Sequence, residues 1–214
     1  MVDIEWSLKQ LDQIHHSEDH FKLSLGAELA QMYGDERVRL EWQPATQAQV
    51  DIGIRRSGVT IPVELKYKTD AATVEDDVFN ESFTLASQGA QSGAHYWIFE
   101  DIKRIENIVN EQGRYGYVVV LTNDSNYWSE PSEPYEALHD AFRIHEGRTV
   151  EGTLEWRDRR DWIEDNGMSA PIELSGRYQM EWSDYSYRDE ISVRNNPTFR
   201  HLVVRVDSAD VGEG

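Results

Sequence analysis

Two segments of alternating hydrophobicity meet in the stretch that decides the fold, 50-VDIGIRRSGVTIPVELKYK-68. Within each segment apolar residues alternate with polar residues or glycine, as expected of strands that bury one face. Ser57-Gly58 lies between the segments and supplies a short turn, with a glycine that tolerates positive φ. The stretch therefore predicts an antiparallel β-hairpin. Counting back from the turn places Asp51 directly opposite Glu64.

The predicted hairpin sets two carboxylates face to face. Side chains alternate across a strand, so Asp51, Glu64 and Lys66 share one face, with Lys66 diagonal to Asp51. Opposed like charges destabilise a sheet, whereas a divalent cation can hold both, because Mg²⁺ takes one or two carboxylates beside several waters. The alternative is a solvated face that tolerates the pair. A bulge at Pro62, which has no N–H to donate, would shift the register by one residue.

The segments around the hairpin show helical and strand patterns in turn. Helical spacing predicts a short helix within 3–16 and a second helix from Ser17 or Asp19 to Tyr33, ended by Gly34. Residues 37–42 predict a strand, 70–81 an acidic connector and 86–111 a helix. The apolar run in 115–121 predicts an interior strand that is buried on both faces.

The hairpin residues resemble the signature of the PD-(D/E)xK nucleases, the superfamily with the restriction-endonuclease-like fold. Asp51, twelve intervening residues and Glu64-Leu65-Lys66 correspond to its D…ExK motif. The order helix, three strands, helix, strand over residues 18–124 is also that of the family's αβββαβ core. The resemblance therefore implies an α/β fold with a mixed central sheet flanked by helices.

The predicted organisation has two parts that pack as one unit. A nuclease-like core with an N-terminal helix occupies residues 1–124, and a β-rich C-terminal extension packed on the core occupies 125–214. In the extension, the region near 135–144 predicts a short helix, and 177–182 and 200–206 predict strands.

The resemblance implies a metal-dependent nuclease that hydrolyses phosphodiester bonds in DNA. Asp51, Glu64 and Lys66 would be its catalytic residues. Asp51, Glu64 and the Leu65 carbonyl would hold Mg²⁺ or Mn²⁺, with Glu28 as a further metal ligand. Lys66 would orient or help deprotonate the attacking water and neutralise phosphate charge.

Glu28 enters this set because it falls inside the apolar stripe of the second predicted helix. A carboxylate buried there needs a partner or a cation, and family members often carry an acidic residue on this helix. The alternative is a glutamate at the helix edge that reaches solvent.

Three further residues are candidates for the site. Gln88 and Gln91 lie at the start of the helix predicted over 86–111, near the point where some branches of the family place a glutamine. Tyr96 comes five residues after Gln91, which departs from the Q-x-x-x-Y spacing of those branches. A capping or surface glutamine is the alternative for both. Lys68 adds a positive charge at the end of the hairpin.

Composition excludes several kinds of functional site and several classes of protein. Cysteine is absent, which excludes disulfides, thiolate zinc sites and cysteine nucleophiles. No apolar run approaches the roughly 20 residues of a membrane span, and the first residues lack a signal-peptide pattern. We therefore expect a soluble, cytoplasmic protein without a membrane partner.

The net charge of −19 is opposite in sign to the basic footprint of most nucleic-acid-binding proteins. Five lysines against sixteen arginines, in a chain with 40 acidic residues, resemble the composition of proteins from halophilic microbes. At 1 M salt the Debye length is about 3 Å, so net repulsion of a phosphate backbone would be mostly screened. The span from Asp51 to Lys68 is also locally positive, with two acids and four bases. The charge pattern therefore tolerates phosphate, and the resemblance implies nucleic acid, DNA in particular, as the partner.

Two other functions stay open at this stage. The chain could be a catalytically silent module of the same fold that binds nucleic acid or a protein partner, in which case it has no need of a metal. It could also be an unrelated acidic binding protein, if Asp51 and Glu64 point to different faces. The substrate stays open between duplex, single-stranded, branched or damaged DNA and RNA. A homodimer, common in the resembled family, has no interface signal in the sequence.

Overall fold

A six-stranded mixed sheet lies at the centre of the protein in the computed structural model, which describes residues 1–44, 49–89, 91–112, 114–131 and 137–208. The helices are α1 (Ile4–Lys9), α2 (Glu18–Tyr33), α3 (Gln91–Gln112) and α4 (Asp161–Asp165), and short 3₁₀ turns lie at Asp35–Arg37 and Asp140–Phe142. The strands are β1 (Val38–Trp42), β2 (Val50–Arg56), β3 (Val59–Lys68), β4 (Ala72–Asp76), β5 (Glu81–Leu85), β6 (Tyr115–Thr122), β7 (Thr149–Leu154), β8 (Ile172–Gln179), β9 (Trp182–Tyr185), β10 (Ile191–Arg194) and β11 (Phe199–Asp207).

The main sheet has the spatial order β1-β2-β3-β6-β11-β9. β3 and β6 run parallel, and the other neighbouring pairs are antiparallel. β10, β4 and β5 form a second sheet, and β7 and β8 a third. The predicted α/β class with a mixed sheet is confirmed. No helix in the described ranges is long and apolar enough to cross a membrane.

β2 and β3 form the predicted hairpin in the predicted register. Ser57 and Gly58 both have positive φ, 48° and 86°, as a two-residue type I′ turn requires. Arg56 pairs with Val59, and the ladder continues without a shift past Pro62. Pro62 is accommodated because the N–H groups that face β2 belong to the odd-numbered residues of β3, so its nitrogen points away from that strand.

Helices cover both faces of the sheet. On one face, α2 packs its apolar stripe against β2 and β3 through Phe21, Leu25 and Leu29. On the other face, α3 packs against β6 through residues such as Ile98 and Ile102. α2 begins at the predicted N-cap, Ser17, whose side chain accepts a hydrogen bond from the His20 N–H, and it ends at Gly34.

Three predicted elements near the N-terminus and the hairpin have other bounds. α1 ends at Lys9 rather than extending to 16, and Asp12 has a positive φ of 38° that interrupts any helix there. The predicted connector 70–81 contains β4 and the start of β5, because β4 pairs with the distant strand β10. α3 begins at Gln91 rather than at 86.

The C-terminal residues contribute two strands to the main sheet. β11 lies antiparallel beside β6, and β9 lies beside β11. The strand predicted at 177–182 is divided between the end of β8 and the start of β9. The helix predicted near 135–144 falls partly outside the described residues, and its described part contains only the 3₁₀ turn.

A buried carboxylate ties α3 to the C-terminal strands. Glu106 accepts hydrogen bonds from the Ser175 and Gly176 N–H groups, each at 2.8 Å, and from the Tyr178 hydroxyl at 2.7 Å. Lys103 lies 3.2 Å from its other oxygen. These donors outweigh the effect of burial and lower the pKa of Glu106, so it is held as a carboxylate.

Replacing Glu106 by alanine should lower the free energy of unfolding by about 3 kcal/mol, because two N–H groups and a hydroxyl lose a charged acceptor in a buried place. Urea denaturation measures the change. Asn107→Ala, at an exposed position on the same helix, is the matched control and should stay within about 0.5 kcal/mol of wild type. Equal losses in the two variants would contradict the assigned role of Glu106.

Candidate functional site

The candidate site lies where β3 continues beyond its ladder with β2. That ladder stops at Ile52 and Val63, whereas β3 runs on to Lys68 beside β6. Asp51 Oδ2 accepts a hydrogen bond from the Leu65 N–H at 2.9 Å, and Glu18 Oε2 accepts one from the Tyr67 N–H at 2.8 Å. Two carboxylates thus replace the backbone acceptors that β2 does not provide.

Asp51 and Glu64 lie together at this end of the hairpin and face the same space. Glu64 is only 3 % exposed. Burial raises the pKa of Glu64 to about 9, and the negative charges of Asp101 and Asp51 act in the same direction, against the opposing charge of Arg104. Without a bound cation, Glu64 therefore holds a proton more readily than an exposed glutamate does.

Two residues of α3 pair with the signature residues of β3. Lys66 Nζ lies 2.7 Å from Asp101 Oδ2, and Arg104 Nη1 lies 2.9 Å from Glu64 Oε1. Arg104 also contacts Asp101. Burial lowers the pKa of Lys66, but the adjacent charge of Asp101 outweighs it, and the net shift is upward. Lys66 is therefore held as an ammonium group.

Sequence reasoning missed Asp101 and Arg104, although one signal was present. Asp101 is an acidic residue inside the apolar stripe formed by Ile98, Ile102 and Ile105, and it is 1 % exposed. The same argument that selected Glu28 on the preceding helix also applies to Asp101. Arg104 gives no such signal, because an arginine at a helix edge is usually exposed.

On α2, the residues that reach the hairpin are Glu18 and Lys22. Lys22 Nζ lies 3.3 Å from Asp51 Oδ1 and also contacts Glu41. Glu28 instead lines a hollow between α2 and the segment that follows α1, with Gln10, Leu11, Gln13, Leu23, Ser24, Ala27 and Gln31. It lies six residues beyond Lys22, about 9 Å along the helix, and on a different side of it. The predicted metal ligand is thus placed apart from Asp51 and Glu64.

The remaining predicted residues are Gln88, Gln91 and Lys68. They lie near the C-terminal end of β3 and the N-terminal end of α3. Gln88 Nε2 donates to Thr69 Oγ1 at 3.4 Å, and Gln91 Nε2 donates to Asp124 Oδ2 at 2.6 Å. Gln91 precedes Asp101 by ten residues on α3, about 15 Å along the axis, so its amide is engaged away from the carboxylates. Lys68 is the last residue of β3, on the same face as Lys66 and in register with Thr122.

We call six of these residues the charge cluster: Asp51, Glu64, Asp101, Lys22, Lys66 and Arg104. Its three acids and three bases balance when all are ionised. In the described ranges no three histidine, aspartate or glutamate side chains are arranged to hold a metal ion. A magnesium site would have to be built from two carboxylates, one backbone carbonyl and waters.

Asp51, Glu64 and Leu65 meet the chemical requirements of such a site. The N–H and C=O of a strand residue point to the same neighbour, so the Leu65 carbonyl points toward the side where Asp51 lies. Glu64 Oε1 is buried and receives no aligned hydrogen bond from the described residues, although Arg104 is close. One carboxylate oxygen therefore remains able to accept a cation if the guanidinium moves.

Comparison of the chain with protein-family models, with curated proteins and with solved structures finds no match. What the site can do therefore follows from its own groups. These are two adjacent carboxylates that can share a cation, an ammonium fixed beside them, and a guanidinium whose side chain is 31 % exposed at the edge of the cluster.

Replacing Glu64 by glutamine should stabilise the protein at alkaline pH. The pKa of Glu64 is raised from its ordinary 4.5 to about 9 in the folded protein. Folding thus favours the protonated acid, and stability is lost as the pH rises between these two values. Glutamine resembles the protonated acid and removes this loss. We expect the free energy of unfolding of Glu64→Gln to exceed that of wild type by up to about 5 kcal/mol at pH 8.5, at about 1.36 kcal/mol for each pH unit above 4.5, and to approach it at pH 5.

Urea denaturation in EDTA at both pH values measures this effect without interference from metal ions. Glu164→Gln, on the exposed side of α4, makes the same chemical change at the surface and should follow the pH dependence of wild type. A parallel pH dependence in Glu64→Gln and wild type would show that Glu64 does not carry the raised pKa.

Proposed function

We propose that this protein is a metal-dependent nuclease of the PD-(D/E)xK type that hydrolyses phosphodiester bonds in DNA. The observation that carries the proposal is the convergence of Asp51 and Glu64 at the end of the hairpin, with Lys66 on the same face of β3. The order α2, β1, β2, β3, α3, β6, into which the antiparallel pair β4–β5 is inserted before α3, and the mixed sheet support a restriction-endonuclease-like core.

Each residue of the site has a role that follows from its surroundings. Asp51, Glu64 and the Leu65 carbonyl would hold Mg²⁺ or Mn²⁺, which polarises a phosphate, lowers the pKa of a bound water and stabilises the leaving oxygen. Because Asp101 keeps Lys66 charged, Lys66 orients water and neutralises phosphate as a cation and does not act as the proton acceptor. Arg104 must leave Glu64 before both carboxylate oxygens can serve a metal.

A catalytically silent module of the same fold is the second candidate. The contacts of Arg104 with Glu64 and of Lys66 with Asp101 favour it, because they neutralise the buried acids without a metal. A buried network of this kind can have a purely structural role. It then fixes the position of α3 on β3 without adding net stability.

Cleavage assays with labelled duplex, single-stranded and branched DNA and with RNA, in molar KCl, test the proposal. We expect cutting with Mg²⁺ or Mn²⁺ and none with EDTA. Asp51→Ala and Lys66→Ala should each lower the rate by about 100-fold or more, because each removes a charge that acts on the transition state. Asp19→Ala is the matched control, since Asp19 also contacts Lys22 but lies on the outer side of α2, and it should cut at nearly the wild-type rate.

Calorimetric titration with Mg²⁺ and Mn²⁺ decides between the two candidates. Metal uptake that is lost in Asp51→Ala, together with metal-dependent cutting, supports the nuclease. Intact substrates and no metal uptake, in a protein that still binds DNA, would make the silent module the correct function.

A further inference from the structure

A groove of about 470 Å³ lies on the sheet beside the charge cluster. Arg37, Arg39, Trp42, Gly53, Arg55 and Thr60 line it. Ile52 and Ile54 point into the core under α2, so alternation directs Gly53 and Arg55 to the opposite face of β2. On β3, Val63 and Leu65 belong to that same core, so alternation directs Glu64 to the opposite face together with Thr60. The groove and the proposed catalytic site therefore share one face of the hairpin.

Positive charge is available in this groove despite the acidic chain. Its two acids are already paired: Glu36 lies 3.2 Å from Arg37, and Glu41 contacts Lys22. Arg39 and Arg55 are exposed and form no ion pair with any other described residue. Within the described ranges, the Arg55 side chain donates one hydrogen bond, to Thr60 Oγ1 at 3.3 Å. Two guanidinium groups that have no carboxylate partner in the described part of the chain can thus bind phosphate.

Trp42 lines the same groove and lies close to Gly53. A Cβ atom at position 53 would lie 2.7 Å from Trp42 Cγ, so the close approach of the indole to the strand depends on Gly53. Trp42 is half-buried and lines the groove, which leaves part of its ring accessible. Arginines beside an aromatic ring are the combination that binds unpaired nucleic acid, through phosphate contacts and base stacking.

We propose that the groove binds a single-stranded segment of nucleic acid, with phosphates on Arg39 and Arg55 and a base stacked on Trp42. Arg55 lies four residues from Asp51 on β2, about 13 Å along the strand. A bound segment of a few nucleotides therefore reaches the charge cluster. The link to cleavage rests on the proposed nuclease function, whereas binding itself does not.

Binding is measured in EDTA, so that its outcome does not depend on cleavage. Fluorescence anisotropy of a labelled single-stranded oligonucleotide and of the matching duplex is followed from 0.1 to 1 M KCl. The double variant Arg39→Ala/Arg55→Ala should bind the single strand at least ~10-fold more weakly than wild type. The slope of its log K against log salt should be less steep than that of wild type by about 1.4, which is about 0.7 for each lost phosphate contact.

The tryptophan is tested by two substitutions of different character. Trp42→Leu should lower the affinity about tenfold, because it removes the stacking surface. Trp42→Phe, which keeps an aromatic face, should retain most of the binding. Circular dichroism confirms that each variant is folded. Equal losses in the leucine and phenylalanine variants would overturn the stacking role.

The matched control for charge is Arg177→Ala/Arg194→Ala. These arginines lie on β8 and β10 with side chains 71 % exposed, and their removal changes the net charge equally. An equal loss of affinity in both double variants, or tighter binding of the duplex than of the single strand, would overturn the proposal.

Binding that needs Arg39 and Arg55 in a protein that never cleaves supports the groove and refutes the nuclease. Cleavage with unaltered binding in the groove variant supports the nuclease and refutes the groove.

Discussion

The site depends on a backbone requirement: β3 extends beyond its hydrogen-bonded partner β2, and its N–H groups on that side need acceptors. Asp51 and Glu18 supply them at Leu65 and Tyr67. An unpaired N–H in a buried place costs free energy comparable to a lost hydrogen bond, so carboxylates at these positions stabilise the fold. The same carboxylate of Asp51 then lies beside Glu64, where two acids can act on a cation. Structural and chemical demands thus select the same residue.

The charge cluster keeps buried acids close together by placing cationic side chains beside them. Glu64 and Asp101 are buried, and burial raises the pKa of both. The positive charges of Lys66 and Arg104 offset part of the free-energy cost of burying these two carboxylates. In such a network the removal of one partner leaves an uncompensated buried charge, so the position of α3 on β3 is tied to the ionisation of four side chains. Entry of a divalent cation in place of Arg104 would put two positive charges beside Glu64 where the guanidinium supplies one.

A chain with a net charge of −19 can still offer phosphate a local partner. The groove beside the cluster does so because its own acids are engaged by Arg37 and Lys22, whereas Arg39 and Arg55 are not paired within the described ranges. At high salt, global repulsion is screened and contacts within a few ångströms decide binding. A small basic groove on an acidic surface is therefore compatible with the proposed binding of a phosphodiester chain at high salt.

Local signals determined a large part of the structure. Alternation and the Ser57-Gly58 turn were enough to predict the hairpin and its register, because turn geometry and a buried face both fix the pairing of adjacent strands. Ser17 and Gly34 likewise set the ends of α2, since caps act within a few residues. The neighbouring positions of Asp51 and Glu64 follow from that register.

Tertiary structure decided everything that depends on partners distant in the chain. β4 became a strand because it pairs with β10, more than a hundred residues later. The choice of Glu18 and Lys22 over Glu28, and the addition of Asp101 and Arg104, depend on the angles at which α2 and α3 cross the sheet. The amphipathic period of a helix shows which side is buried, but not which strand residue lies beneath each turn. The hairpin acids could therefore be identified from the sequence, whereas the residues that pair with them required the packed structure.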